Sequence, residues 1–389
     1  MIKLFIIADD FTGALDTGVQ FAAHGASTRV VTRLECNLAS EDVDVLVLDA
    51  ETRHLPPTDA YWVVREAVLA ARGVPYVYKK TDSVLRGNIG AELAAAMDAR
   101  GVEGMPFIPE LPSMGRVARE GIYYVGGVPV SKSPLGQDPF DPVTTSDIRA
   151  LITRQTDRTV SIRELGVNTK ASFPGIVAYD AETDEDLVWI GRELGLERLH
   201  LSAGCAGFAA VLAEMLEFTG TAPNISSVPR AFFMICGSVN PVTRVQVAKA
   251  IEAGFTRIWM GDESALNGPM TSRMILDANQ QIEKPAILPG GDEERLRILT
   301  ELTSAAKGFL DRGLDATLMC VGGDTLMALM KAVGVSTLTP LCEVTKGVVL
   351  TSFDYAPPGS GLRTYYILSK SGGFGEPDLL RQLAGQIGA

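Results

Sequence analysis

Leu4-Phe-Ile-Ile-Ala-Asp-Asp-Phe-Thr-Gly-Ala-Leu-Asp16 decides the fold. An unbroken apolar run from Leu4 to Ala8 ends at two adjacent carboxylates, and helical spacing then runs from Gly13 to Ala23. A strand that is apolar on both faces belongs in a parallel sheet covered by helices. The pattern repeats outward. Val43 to Leu48, Pro75 to Tyr78 and Met105 to Ile108 read as strands, with helices at Thr58 to Ala71 and Asn88 to Ala99. Strand–helix alternation sustained this long predicts an α/β fold.

Gly121 to Pro142 breaks the alternation. It is rich in Gly, Pro and Tyr, and Val125-Gly-Gly-Val128 reads as a hairpin turn, so the stretch is expected to be an excursion, a flap over a site. Helix–strand order resumes from Thr145 to about Phe218. Thr219 to Pro229 is small, polar and Pro-bearing, the composition of a linker. Beyond it a second alternation begins, with strands at Ala231 to Cys236, Arg257 to Met260, Ala316 to Val321 and Thr364 to Leu368. Its helices fall at Pro241 to Ala253, Glu293 to Arg312, Thr325 to Val333 and Glu376 to Leu383. The expected organisation is two α/β domains, 1–222 and 230–389, each with a largely parallel sheet flanked by helices and the active site in the cleft between them. A chain of 389 residues is long enough for two cores, at roughly 150 residues per domain.

The bulk chemistry excludes several classes. A net charge of −12 gives no global attraction to nucleic acid or to an anionic membrane surface, so neither is expected as a partner. An anionic ligand would need a local cluster of cations and amides. The five cysteines form no CxxC pair, and with three histidines a zinc site is not expected. Scattered, unpaired thiols fit a reducing cytoplasm. The apolar start to Ala8 is too short for a secretion signal, and no apolar run reaches the ~20 residues of a membrane span.

Ligands of open α/β sheets bind beyond the carboxyl ends of the strands, so the residues after each strand are the candidates. Asp9 and Asp10 could accept hydrogen bonds from sugar hydroxyls, hold Mg2+ or take a proton; the plain alternative is an N-cap, for which one of them would suffice. Arg53 could grip a substrate carboxylate through two parallel hydrogen bonds, or be a solvated surface residue. Lys79-Lys-Thr-Asp-Ser-Val-Leu-Arg-Gly-Asn88 is the densest polar cluster. It supplies cations (Lys80, Arg86), hydroxyls (Thr81, Ser83) and a carboxylate, Asp82, that could serve as a base. In the second domain Gly237-Ser238 before Pro241, Gly322-Gly323-Asp324-Thr325, and Ser371-Gly372-Gly373-Phe374-Gly375 all lie between a strand and a helix. Such turns let a backbone approach a phosphate at a helix N-terminus. None fits the P-loop or the GxGxxG pattern, which also weighs against a nicotinamide-dependent dehydrogenase.

Ile7-Ala-Asp-Asp-Phe-Thr-Gly-Ala14, Lys80 to Asn88, Gly237-Ser238 before Pro241-Val-Thr, Gly322 to Thr325 and Lys370-Ser-Gly-Gly-Phe-Gly375 occur in order. Together they resemble the four-carbon acid sugar kinase family, which phosphorylates threonate, erythronate or 3-oxo-tetronate with ATP. The likeness spans about residues 7 to 380. It implies an N-terminal domain for the acid sugar, with Asp9, Arg53 and Lys80 to Ser83 on the substrate. It also implies a C-terminal domain for ATP and Mg2+, with Ser238, Gly322 to Thr325, Gly372 and Gly373 on the nucleotide. Asp82, ahead of Asp10, is the expected proton acceptor. The departures are Val84, Cys205 within Ala203 to Ala209, Ser371, and Glu110, a carboxylate where a small residue is usual; they bear on substrate identity more than on reaction class. A catalytically inactive sugar-acid sensor on the same scaffold is the competing expectation. Oligomeric state stays open, a homodimer among the options.

Overall fold

The structure is a computed structural model. It describes all residues except 35–37, 39–40, 138–140, 167–173, 224–227, 279–290 and 389. Cys36 and the middle of the expected linker therefore lie outside the described residues. The chain forms two compact units, Met1–Ala222 and Pro223–Ala389.

The first unit runs β1 (Leu4–Ala8), α1 (Phe11–Ala23), β2 (Thr28–Val31), β3 (Val45–Asp49), α2 (Pro57–Ala70), β4 (Tyr76–Lys80), α3 (Ile89–Arg100) and β5 (Gly104–Ile108). The excursion then forms a small antiparallel sheet of β6 (Arg116–Arg119), β7 (Ile122–Val125) and β8 (Val128–Pro129), turning at Gly126-Gly127. The unit closes with α4 (Ile148–Thr153), β9 (Val160–Arg163), β10 (Gly175–Tyr179), α5 (Asp184–Arg198), β11 (Leu201–Gly204) and α6 (Ala206–Leu216). Its main sheet is parallel throughout, in the order β2-β3-β1-β4-β11-β5-β10-β9. Every residue of β1 is buried, as an unbroken apolar strand requires. β1 lies between β3 and β4, where the winding changes direction, and this is the point at which open sheets leave a crevice.

The second unit runs β12 (Phe232–Cys236), α7 (Pro241–Glu252), β13 (Thr256–Trp259), α8 (Glu263–Leu266), β14 (Arg273–Asp277), α9 (Gly291–Asp311), β15 (Thr317–Val321) and α10 (Gly323–Val333). It ends with β16 (Thr337–Thr345), β17 (Val348–Tyr355), β18 (Arg363–Lys370) and α11 (Leu379–Gly388). Its strand order is β13-β14-β12-β15-β18-β17-β16; the first five are parallel, and β17 runs antiparallel to both neighbours. Asn240 caps α7 by accepting from Val242 N, with Pro241 at the first helical position where a missing N–H costs nothing. Among the described residues no helix is long and apolar enough to cross a membrane.

Candidate active site

The ends of β1 and β4 and the loop after β3 meet in one charged cluster. Asp10 is the N-cap of α1 and accepts from Gly13 N at 3.0 Å. The capping alternative is thus realised, and by Asp10 alone. Asp9, 3% exposed, has another use. Arg53 donates from Nε to Asp9 Oδ2 at 2.7 Å and from Nη1 to Asp10 Oδ2 at 2.8 Å. Its Nη2 lies 2.7 Å from Asp10 Oδ1 and 3.6 Å from Asp82 Oδ1. Lys80 reaches in from the end of β4, with Nζ 3.6 Å from Asp9 Oδ1. A Cβ on Gly13 would run into Lys80 Nζ and Asp10 Oδ1, so a larger residue there would displace both of these side chains. Burial works to raise the Asp9 carboxyl, but the fields of Arg53, Lys80 and Lys79 outweigh it and hold it at about 2.

Asp82 organises the loop after β4. It accepts from the amides of Val84 and Arg86, both at 3.2 Å, and from Arg86 Nε at 2.8 Å and Nη2 at 3.0 Å. Leu85 is held at φ +63° between those amides, a costly conformation for a branched side chain that Asp82 stabilises. Burial opposes ionisation here too; Arg86 and Arg53 override it and hold the carboxyl well below the usual range. Thr81 faces β11, its amide donating to Gly204 O at 2.8 Å. Ser83 accepts from Arg116 Nη1 through its hydroxyl, and its carbonyl accepts from Tyr123 OH at 3.0 Å. Arg116 and Tyr123 belong to β6 and β7, so the small sheet is stitched to this loop. The excursion expected from Gly121 to Pro142 contains Tyr123 but begins after β6 and Arg116; an Arg and a Tyr seven positions apart carry no distinguishing signal in the sequence.

Two further lysines are buried at strand ends. Lys79 is fully buried and pairs with Glu92 Oε2 of α3 at 2.8 Å. Lys370 ends β18 and donates to Ser371 O at 2.8 Å; burial pushes its ammonium down to about 8. Glu110, after β5, is fully buried; its two carboxyl oxygens have no hydrogen-bond partner, its backbone carbonyl accepts from Cys205 Sγ at 3.1 Å, and burial pushes its carboxyl well up.

In the second unit the three glycine turns converge. Gly322 N donates to Lys370 O at 2.8 Å, and Thr243 Oγ1 donates to Gly372 O at 2.6 Å. Thr325 Oγ1 lies against Gly237. Gly322, at φ +101°, is the N-cap of α10, so Gly323, Asp324 and Thr325 form that helix's first turn. Asp324 is paired with Arg295 of α9. Ser238 Oγ accepts from Asn240 N at 3.3 Å and sits where a Cβ on Gly372 would go. Gly373 follows in the same turn. Replacing Gly372 by alanine is expected to displace Ser238 and weaken ATP binding by about 10-fold or more while leaving acid binding intact. Calorimetric titration of each ligand checks this, and unchanged ATP affinity would remove the turn from the nucleotide site.

The first unit thus presents a carboxylate–cation cluster suited to a polyhydroxy acid, and the second a set of backbone turns suited to phosphate. A profile described as "Sugar-binding N-terminal domain" matches residues 4–212, and one described as "Nucleotide-binding C-terminal domain" matches residues 233–380. The chain is 32% identical to a D-threonate kinase of Bordetella bronchiseptica, over 98% of this chain and 96% of that protein. It is 28% identical to a 3-oxo-tetronate kinase of Burkholderia multivorans, over 96% and 94%. A solved structure from Salmonella typhimurium LT2 superposes with a TM-score of 0.79 over 99% of both chains at 21% identity, a likeness that speaks to the fold alone. The chain belongs to the four-carbon acid sugar kinase family.

Proposed function

We propose that this protein transfers the γ-phosphate of ATP to a hydroxyl of a four-carbon sugar acid of the threonate, erythronate or 3-oxo-tetronate type. The observation that carries this reading is the cluster at the β1/β4 edge. Arg53 is locked by Asp9 and Asp10, with Lys80 and Asp82 beside it, all in the unit that matches a sugar-binding domain. The free thiols of Cys205, Cys320 and Cys342 support a reducing compartment, hence the cytoplasm.

Phosphoryl transfer asks mainly for positioning and for neutralised charge. Asp9, Asp10 and Asp82 each face a cation, so exposure and the demands of the backbone separate them rather than charge pairing. Asp82 also carries four hydrogen bonds from its own loop. Asp10 has the most exposed side chain of the three, at 25% against 3% for Asp9 and 8% for Asp82. We therefore assign the proton acceptor to Asp10 in preference to Asp82, whose part is to hold Arg86 and the Thr81–Ser83 segment in place. Asp9 and Lys80 orient hydroxyls.

The turns at Ser238, Gly322–Thr325 and Gly372–Gly373 fit ATP: they include the N-terminus of α10, and a Cβ at Gly237 or Gly372 would meet Thr325 or Ser238. Lys370 is a buried cation within that group, and a phosphate beside it would favour its charged form. Among the described residues no three carboxylate, His or Cys side chains gather into a metal site. Mg2+ does not require such a cluster, since it typically takes one or two carboxylates together with substrate phosphates. When bound, it supplies charge neutralisation on the transferring phosphoryl group.

The test is ADP release with D-threonate, L-threonate, D-erythronate and 3-oxo-tetronate in parallel, with turnover expected on at least one. Binding of an acid without ADP release on any of them would favour the sensor reading.

A further inference from the structure

A cavity of about 250 Å³ opens in the first unit beside the acid cluster. That is slightly below the ~300–1,000 Å³ of ordinary drug-sized sites, so it suits a molecule of a few carbons and excludes a nucleotide. Arg53 and Arg86 line it, and with them His54, Asp141, Arg154 and Gln155. Its walls are tied together. Asn88 Nδ2 donates to Thr52 O at 2.8 Å and Leu55 O at 2.7 Å; Gln155 donates to Gly87 O at 3.2 Å and accepts from Gly90 N at 2.8 Å.

Charge decides what the cavity could hold. Within the cluster the cations Arg53, Lys80 and Arg86 are matched one for one by Asp9, Asp10 and Asp82. A substrate carboxylate entering there would find no net positive charge to receive it. The cavity supplies a third guanidinium, Arg154, which is exposed and donates to Thr144 Oγ1 on the same wall. Asp141 is the sole carboxylate among the lining residues, and it is hydrogen-bonded to His54 Nδ1 at 2.6 Å. Unlike Arg53 and Arg86, Arg154 is not committed to a carboxylate among the described residues, so its guanidinium can receive one from a ligand in the cavity.

We infer that this cavity receives the carboxylate end of the acid substrate, with Arg154 the specificity-determining cation and Asp141 hydrogen-bonded to His54. The inference rests on the sugar-acid reading of the same unit. It places the hydroxyls toward Asp9 and Asp10 and the acid group toward Arg86 and Arg154.

The experiment compares the wild-type protein with Arg154→Leu and Arg154→Lys. Arg154 lies outside the cluster and is exposed, so both variants are expected to fold. Arg154→Leu is expected to raise KM for the best acid in the panel, D-threonate in the first instance, by about 10- to 100-fold. Its kcat is expected to stay within about threefold of wild type and its KM for ATP to be unchanged, with partial recovery in Arg154→Lys. Calorimetric binding without ATP should show the preference for D-threonate over uncharged threitol shrinking by the same factor. An unchanged KM and an unchanged preference in Arg154→Leu would overturn the inference. If the wild type turns over no acid, the kinase reading fails separately. Acid binding that weakens in Arg154→Leu would then still uphold the cavity, and acid binding that does not change, or is absent from the wild type, would overturn it.

Discussion

Asp10→Asn is expected to lower kcat by about 10²- to 10⁴-fold, the range for losing a positioned proton acceptor, with ATP affinity unchanged. The amide keeps the shape of the side chain and can still accept from Gly13 N, so the cap on α1 survives. What it loses is the negative charge facing Arg53 and the capacity to take the hydroxyl proton. Asp82→Asn is expected to behave differently. It loosens the hydrogen bonds to Val84 N, Arg86 N and the Arg86 guanidinium, so KM for the acid rises along with any fall in kcat. Steady-state kinetics on both variants separates the roles. Turnover within tenfold of wild type in Asp10→Asn would remove that residue as the acceptor.

The largest stability effect is expected at Lys79 and Glu92. Both side chains are buried, with Nζ and Oε2 2.8 Å apart, and Lys79 Nζ also donates to Lys80 O at 2.6 Å. Glu92 lies in the first turn of α3, where a negative charge also suits the helix dipole. Removing either partner strands the other charge away from water. Lys79→Met and Glu92→Gln should therefore each cost about 3–5 kcal/mol in urea unfolding. The double variant should cost clearly less than their sum, since it leaves no buried charge unpaired. Single variants within about 1 kcal/mol of wild type would show that the pair contributes little. The pair lies directly beneath Lys80, so the expected loss of activity follows from loss of the β4 edge rather than from a role in the chemistry.

The β4 edge also shows where sequence reading stops. The strand reads as ending at Tyr78 because two lysines follow, and charges do not belong in a buried strand. The strand in fact continues to Lys80, with both lysines buried. Their partners, Glu92 and Asp9, lie 13 and 71 positions away along the chain and come from a different helix and a different strand. Likewise β16 and β17 are not read as strands: β16 mixes buried and exposed positions, and in β17 the apolar run of Val348 to Leu350 gives way to Thr351 and Ser352, so neither carries the continuous apolar run that marks β12 or β15.

The sequence by itself determined the α/β class, the strand-end location of the polar motifs and the candidate residues Asp9, Asp10, Arg53 and Lys80 to Arg86. Those depend on local apolar periodicity and on which residues follow each strand, and both are properties of short windows. Only the tertiary structure decided that Arg53 is engaged by two carboxylates, that Asp82 is committed to its own loop, and that Arg154 shares a cavity with Arg86. Those facts depend on pairings across distant segments. A charge's role is set by the partners that reach it through space, and the order of residues along the chain does not record them.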